Sequence, residues 1–481
     1  MGRYAAMKST FLCFCFCLIG TSLFAQATVE KKSTLDVTSF LEQVKAQHNG
    51  IQASRQTMES TSLKGDEGSL AFAPNVFATI SHTADQSPIT NQAVGSNKMT
   101  TDVYTVGVKE NFRFGTNATL SYNLNKVEYE DPKPTVMPQK KFYTARPMIE
   151  LRQPLWRNSL GKEFLATETA AKAKNVGTFY AESYKIKSIL MDAEMAYWKL
   201  SFARQAVKIQ TENLNRATKL KEWTSTRVDR QLADKADLIQ VNAMISLRVL
   251  ELRAAKDDER VAAKNVNVLR GINSDTVSEV LIEYAPGLAD ALKVPGKKDE
   301  RDDVRALKAQ AEATSASSIM AEEKNKPTLE VFGNYALNGK DTTDKDIPEE
   351  STKANKPTWS VGVTVSTPLD LETVRSSTAG YRLESQAAAK NYERKVFEQE
   401  QEWQNLNKKL EEAKSRLKLA SAIEDVQKVK LEYERERHLR GRSTLYQVLL
   451  FEQDYASSQL NELTKLAEVL QILSQMKTFS E

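Results

Sequence analysis

Cysteine is confined to one short window. Of 481 residues only Cys13, Cys15 and Cys17 carry a thiol, so the chain beyond them holds no disulfide, thiol nucleophile or cysteine metal site. Histidine is as scarce, and His48, His82 and His438 are too far apart in sequence to suggest a metal or catalytic pair. Acids cluster at Asp257-Asp258-Glu259 and from Asp299 to Asp303, but in charged helical sequence such runs read as solvated surface. A phosphate-cradling glycine loop is lacking. Charge has no preferred sign: 67 lysines and arginines face 63 acids, and without Arg3 and Lys8 the count is 65 to 63. No basic excess points to nucleic acid. These absences leave no catalytic residue, no cofactor site and no metal site to assign.

Proline is missing from two long stretches. From Gly161 to Arg227 there is none, and the only glycines are Gly161 and Gly177. Apolar positions repeat there at seven-residue steps, with Ile186, Ala193, Leu200, Val207 and Leu214 in one position and Ile189, Ala196, Ala203, Gln210 and Ala217 in the other. At about 1.5 Å per residue the stretch predicts a rod roughly 100 Å long, too long for a compact core. From Val374 to Leu439 a second stretch of similar length has no proline and only Gly380 near its start. Each is followed by a polar turn, near Val228 to Lys235 and near Arg440 to Ser443, and then by a returning helix. Leu238, Val241, Ile245, Leu252, Ala255, Ala262, Val266 and Leu269 fill the apolar positions of the first return. Leu449, Ala456, Leu463, Leu466, Leu470 and Leu473 fill those of the second. The duplication reads as two versions of one unit, residues 28–296 and 297–481, joined through a connector from Asn273 to Asp299 that contains Pro286 and Pro295.

The N-terminal segment is of another kind. Arg3 and Lys8, an apolar block from Phe11 to Ile19 and the small-x-small run Ala25-Gln26-Ala27 read as a cleaved export signal over residues 1–27, with Ala25 as an alternative last residue. The block is shorter than the ~20 residues of a membrane span, and none of the three cysteines is preceded by the small residues of a lipid-modification site.

Between these features lie short alternating runs. A short helix over Leu35 to Leu63 precedes strands at Asn75 to His82, Val103 to Phe112, Thr116 to Leu124 and Tyr143 to Gln153. Val76, Ala78 and Ile80 share one face of the first strand; Phe77 breaks the pattern on its polar face. Arg113-Phe114-Gly115 reads as a tight turn. In the second unit a helix over Arg301 to Asn325 precedes strands at Leu329 to Asn338 and Trp359 to Ser366. The polar segments Asp85 to Thr100, Tyr129 to Lys141 and Gly339 to Lys356 read as exposed loops.

Alternation fits a soluble antiparallel sheet with one buried face, or a transmembrane barrel with an apolar outside and polar lumen. The export signal, the long polar loops and the aromatic residues Tyr143, Tyr335 and Trp359 near strand ends favour the barrel. The hairpin Val103 to Leu124 either enters that barrel or packs at its mouth. Sheet edges cannot stay open in lipid, and four to six strands are too few to close a pore, so several copies have to share one barrel. The rival is a secreted periplasmic coiled-coil scaffold without channel activity, which the heptads alone fit equally well.

The order of signal, short helix, strands, long helix, tip turn and returning helix, then repeated, resembles the TolC-like outer-membrane efflux protein family. Leu151-Arg152-Gln153-Pro154-Leu155 is similar to the family's strand-to-helix junction, and Val365-Ser366-Thr367-Pro368-Leu369 to its second copy. Lys326-Pro327-Thr328-Leu329-Glu330-Val331 is similar to the start of the family's third strand. At the first tip Arg227-Val228, Leu232 and Asp237-Leu238 fit, with Gln231 where glycine is usual. At the second Gly441, Ser443, Thr444 and Leu445 fit, with Gln447 and Leu450 at commonly acidic positions.

The resemblance implies an α+β membrane protein with long antiparallel helical hairpins forming a coiled-coil tunnel, and transmembrane strands completing a barrel shared by a homotrimer. It would sit in the outer membrane of a Gram-negative bacterium and extend into the periplasm. The implied function is a passive exit duct for efflux or type I secretion. Its implied partners are outer-membrane lipid, a periplasmic adaptor protein docking at Arg227, Leu232, Asp237, Gly441, Ser443 and Thr444, and an inner-membrane transporter. The resemblance does not supply the usual acidic ring at the tunnel entrance, nor the transported substrate.

Overall fold

The computed structural model describes residues 34–87, 98–130, 139–282, 287–343, 346–353 and 356–480. The proposed signal with its three cysteines, Pro286 and parts of the three polar segments lie outside them.

The described chain opens with β1 (Thr34–Leu35), α1 (Val37–Gln47) and α2 (Asn49–Leu63). The sequence predicts one helix over these residues; the structure has two. His48 adopts an extended conformation between them at ψ 113°, in the weakly helical run His48-Asn49-Gly50, and the Gln52 amide donates to the carbonyl of Ala46 at 2.7 Å. Four strands follow, β2 (Asn75–Asp85), β3 (Lys98–Asn111), β4 (Asn117–Glu130) and β5 (Lys141–Pro154). They run further into the expected loops than the sequence suggests.

The long helix α3 spans Lys162–Asp229 and returns as α4 (Lys235–Leu269). The connector carries β6 (Val280–Leu281) and α5 (Leu288–Ala291), leading into α6 (Asp302–Lys324). Strand β7 (Thr328–Leu337) is followed by β8 (Gly339–Asp341) and α7 (Ile347–Thr352), then β9 (Pro357–Ser366), α8 (Leu371–Leu439) and α9 (Leu445–Met476). The segment Gly339 to Lys356 is therefore more than an exposed loop. β8 pairs with β5, and α7 packs over both strands with Ile347 and Ala145 fully enclosed.

Six strands form one antiparallel sheet in the order β2-β3-β4-β5-β7-β9. The hairpin β3–β4 lies within its plane, paired with β2 from Met99 to Lys109 and with β5 from Asn117 to Glu128. Among the described residues the two edge strands, β2 and β9, have no partner on their outer sides.

The helices pack by the expected heptads. Ala193, Leu200, Ala203 and Ala217 of α3, Val241, Ala262 and Val266 of α4, and Leu463, Leu466, Leu470 and Leu473 of α9 are all buried. α6 lies along α3 and α8, while α4 and α9 lie along the later turns of their own partners. The hydrophobic core gathers midway along the rods, where Phe40 and Val44 of α1 belong to one cluster with Tyr197, Leu410, Leu417 and Phe479. Strand β1 pairs in parallel with β6, and the buried Tyr197 hydroxyl fixes that pair. It donates to the Leu35 carbonyl at 2.6 Å and accepts the Ile282 N–H at 3.0 Å. Nearer the start of α3, over the Tyr184 ring, Arg301 is buried against the Phe479 ring, 4.4 Å from its centroid, and binds Asp303 at 2.8 Å and Glu402 at 3.0 Å.

Candidate functional site: the sheet face and the helical tips

Register fixes what each face of the sheet presents. A row of directly paired residues runs across all six strands: Val76, Val108, Leu120, Ile149, Tyr335 and Trp359. Beside it Val106 pairs with Tyr122, and Leu151, Val361, Val363 and Val365 extend the same face. None of this surface is covered: Val76 is 72% exposed and Trp359 71%. The opposite face carries Thr79, Thr105, Asn123 and Arg146 in one row and Asn75, Lys109, Thr119, Glu150 and Asn334 in another. An apolar face left uncovered opposite a polar one is the reverse of a soluble sheet packed on a core.

The exception Phe77 has a steric reason. It sits opposite Gly107, where an added Cβ would come within 2.6 Å of its ring. On the same polar face Phe332 lies over Gly362 in the same way, at 2.4 Å. Each ring covers a glycine that leaves room for it.

Toward the loop end the apolar face stops at a charged patch. His82 Nδ1 lies 2.6 Å from Asp102, and Lys126 lies 3.3 Å from the same carboxylate. With strands of 10 to 14 residues and a tilt near 40°, the sheet stands about 26 to 37 Å tall, enough for an apolar band of ~25 Å.

At the other end the sheet is fixed to α3. Pro154 is buried as the last residue of β5, and the Leu155 N–H donates to Leu329 at 2.7 Å. The Thr116 hydroxyl donates to the side-chain oxygen of Gln153, so Gln153 ties the β3–β4 turn to the junction. In that turn Gly115 has φ +91°, and Arg113 grips the buried Glu168 of α3 through two bonds of 2.9 and 3.0 Å. Glu168 is held below the usual carboxylate range by Arg113 and then Lys172. The carbonyl of Arg113 also presses on Gly161, where a Cβ would come within 2.0 Å. Asn158 caps α3 from the left-handed region, accepting the Glu163 N–H at 3.0 Å. The second junction is looser. Pro368 is exposed, and Asp370 caps α8 by accepting the Thr373 N–H at 3.0 Å.

The two tips close alike. In the first, Gln231 takes φ +57°, its N–H donates to Val228 at 2.9 Å, and the Leu232 N–H donates to Arg227 at 2.8 Å. In the second, Gly441 takes φ +71°, its N–H donates to His438 at 3.0 Å, and the Arg442 N–H donates to Arg437 at 2.9 Å. Both are Schellman caps. In each an arginine folds over the turn: Arg227 donates to the Leu232 carbonyl at 3.1 Å, Arg437 to the Arg442 carbonyl at 3.2 Å. Asp234 and Thr444 then cap the returning helices. Leu232 is 62% exposed, and Asp237 lies in the first turn of α4. Ser443 donates to the buried Glu434.

The structure thus brings Arg227 and Leu232 into one turn, and Gly441, Ser443 and Thr444 into the other. The hairpins touch near their ends, where the Trp223 ring lies 4.6 Å from His438 and Arg227 stacks on Trp223 at 4.7 Å. Sequence reasoning missed Arg437, the counterpart of Arg227; aligning the turns on Gln231 and Gly441 would have found it. It also missed Arg113 with Glu168, which a linear reading could not join across their sequence separation. Among the described residues no group of three or more metal-ligating side chains gathers, and no helix is long and apolar enough to cross a membrane.

No family model matches the sequence, and no curated protein matches it. Solved structures do match its fold. The outer-membrane channel OprN is 15% identical, covering 92% of this chain and 89% of its own, with a TM-score of 0.65. The outer membrane protein VceC of Vibrio cholerae is 11% identical over 92% and 95%, at 0.65. The CmeC outer membrane channel of Campylobacter jejuni is 14% identical over 92% and 86%, at 0.63. Across 92% of its length the chain therefore has the fold of TolC-like outer-membrane channels, the family its junction and tip motifs resemble.

Proposed function

We propose that the chain is one protomer of an outer-membrane channel-tunnel, a passive exit duct carrying substrates by efflux or type I secretion. The observation that carries this reading is the uncovered apolar row from Val76 to Trp359 across six strands whose edges are both open. In water that face would be a liability; in lipid it is a wall. Open edges cannot persist in a bilayer, so copies of the chain complete one another, as a homotrimer by family likeness. Residues 1–27 act as the export signal, and residues 28–296 and 297–481 are the two repeats.

The helical hairpins cross the periplasm. Their tips, at Arg227, Leu232, Asp237, Gly441, Ser443 and Thr444, receive a periplasmic adaptor that links the duct to an inner-membrane transporter. No catalytic step is part of this function. The reading is tested by purifying the full chain in detergent and recording currents in planar bilayers. Stable stepwise currents are expected, and substitutions at Gly441 and Arg227 should weaken adaptor capture while leaving those currents intact. A protein that needs no detergent and passes no current would instead support the coiled-coil scaffold.

A further inference from the structure

We propose that the closed barrel has eighteen strands, six from each of three copies, with every β3–β4 hairpin a permanent rib of the wall and β2 of one copy pairing with β9 of the next. This rests on the channel reading above and adds to it the partner of each edge and the width of the bore.

Three observations place the hairpin in the wall. The hairpin pairs with both neighbours in unbroken register, Met99 to Lys109 against Asp85 to Asn75 of β2 on one side, and Asn117 to Glu128 against Arg152 to Lys141 of β5 on the other. The apolar row passes through Tyr104, Val106, Val108, Leu120 and Leu124 without interruption, which a hairpin resting in water at the mouth would have no reason to carry. Finally its turn is bolted to α3 and its N-terminal cap through Arg113 with Glu168 and the close contact at Gly161, and to the end of β5 through Thr116 with Gln153.

The edges fit one another. With an even number of antiparallel strands, β2 and β9 run in opposite directions, so the next copy's β9 meets β2 antiparallel. They are 11 and 10 residues long, and both continue the apolar face. Neither carries a central proline or lysine, the usual protection against edge pairing.

A spacing of ~4.8 Å and a tilt near 40° give eighteen strands a backbone diameter of about 36 Å, against about 24 Å for twelve. After side chains the bore is about 25 Å, as in water-filled porins of similar strand number. The membrane segment then passes bulky hydrated solutes, and discrimination by size falls to the helical end.

The test is electron cryomicroscopy of the full chain in lipid nanodiscs. Eighteen strands with a wall about 36 Å across are expected; a twelve-stranded wall with β3–β4 outside it would overturn the proposal. An independent measurement places a spin label at Val106→Cys or Leu120→Cys in a chain with serine at residues 13, 15 and 17. Access to oxygen but not to a water-soluble nickel chelate is expected, and the reverse would overturn the rib assignment. If the chain does not insert into lipid at all, the channel reading itself fails, an outcome distinct from a narrower barrel.

Discussion

The first tip is a place where the chain tolerates backbone strain, and the second provides its control. Gln231 and Gly441 occupy the same position of the same cap, at φ +57° and +71°. A side chain in the left-handed region costs about 1 to 2 kcal/mol, while glycine gives back about 0.5 to 1 kcal/mol through the freedom of its unfolded chain. The net is about 1 kcal/mol in favour of glycine at either site. At Gly441 an added Cβ meets nothing within 4 Å, so Gly441→Ala isolates the conformational cost from any clash.

The assay is amide hydrogen exchange, read at the Arg442 and Leu232 N–H groups whose bonds to Arg437 and Arg227 close the two turns. About 1 kcal/mol of local opening is about a fivefold change in exchange. Gly441→Ala should speed exchange at Arg442 by that factor, and Gln231→Gly should slow it at Leu232 by a similar one. Unchanged exchange in both variants would refute the reasoning. It would mean that contacts such as Trp223 on His438, and not the caps, hold the tips shut.

Other changes act elsewhere. Tyr197→Phe leaves the Leu35 carbonyl and the Ile282 N–H without their partner, and should cost about 2 kcal/mol in denaturant unfolding while freeing β1 to proteolysis. Arg113→Ala removes two bonds from the buried Glu168 and leaves it only Lys172 at 2.9 Å, so it should cost about 1 to 2 kcal/mol in denaturant unfolding. Burial pushes the Asp303 carboxyl up, but Arg301 and Lys395 outweigh it and hold the group below its ordinary value. Its stabilisation is therefore present above pH ~4 and lost as the pH falls further, and Asp303→Asn should flatten that limb of an acid titration. Burial, with the Glu424 carboxylate, pushes the Tyr455 phenol up to about 12. Its stabilisation is present below the ordinary value near 10 and lost as pH climbs to about 12, so Tyr455→Phe should remove that alkaline loss in a pH-dependent melting series.

The helices were legible because their pattern is long and local. A run without proline and with apolar residues every seven positions has one regular solution, and α3 and α8 end within three residues of the expected bounds. The break at His48 was not legible, since it depends on a single extended residue between two helical turns. Strand existence could be read from alternation, but strand length could not, because Met99, Thr100 and Tyr129 are polar or mixed and only their cross-strand partners make them strand. Whether the hairpin belonged to the sheet was beyond alternation too, since two-residue periodicity says which face a side chain takes and nothing about which strand lies beside it. The tip was half legible: Gly441 announces a left-handed cap, whereas Gln231 conceals the same cap in a residue that gives no such signal.

The open sheet edges and the helices make the same demand on a second copy. On α8 the buried Leu410 and Leu417 face the interior, yet Leu419, Val426 and Tyr433, again seven residues apart, remain more than 60% exposed. A helix with one apolar stripe is satisfied inside its own chain; a helix with two needs another surface. α4 leaves Leu250, Val261 and Val268 exposed as well. A sheet edge left unpaired and a helical seam left uncovered could each be excused singly. Occurring together, along the edges of the sheet and along the helices, they support the proposed ring of like protomers over a chain that works alone.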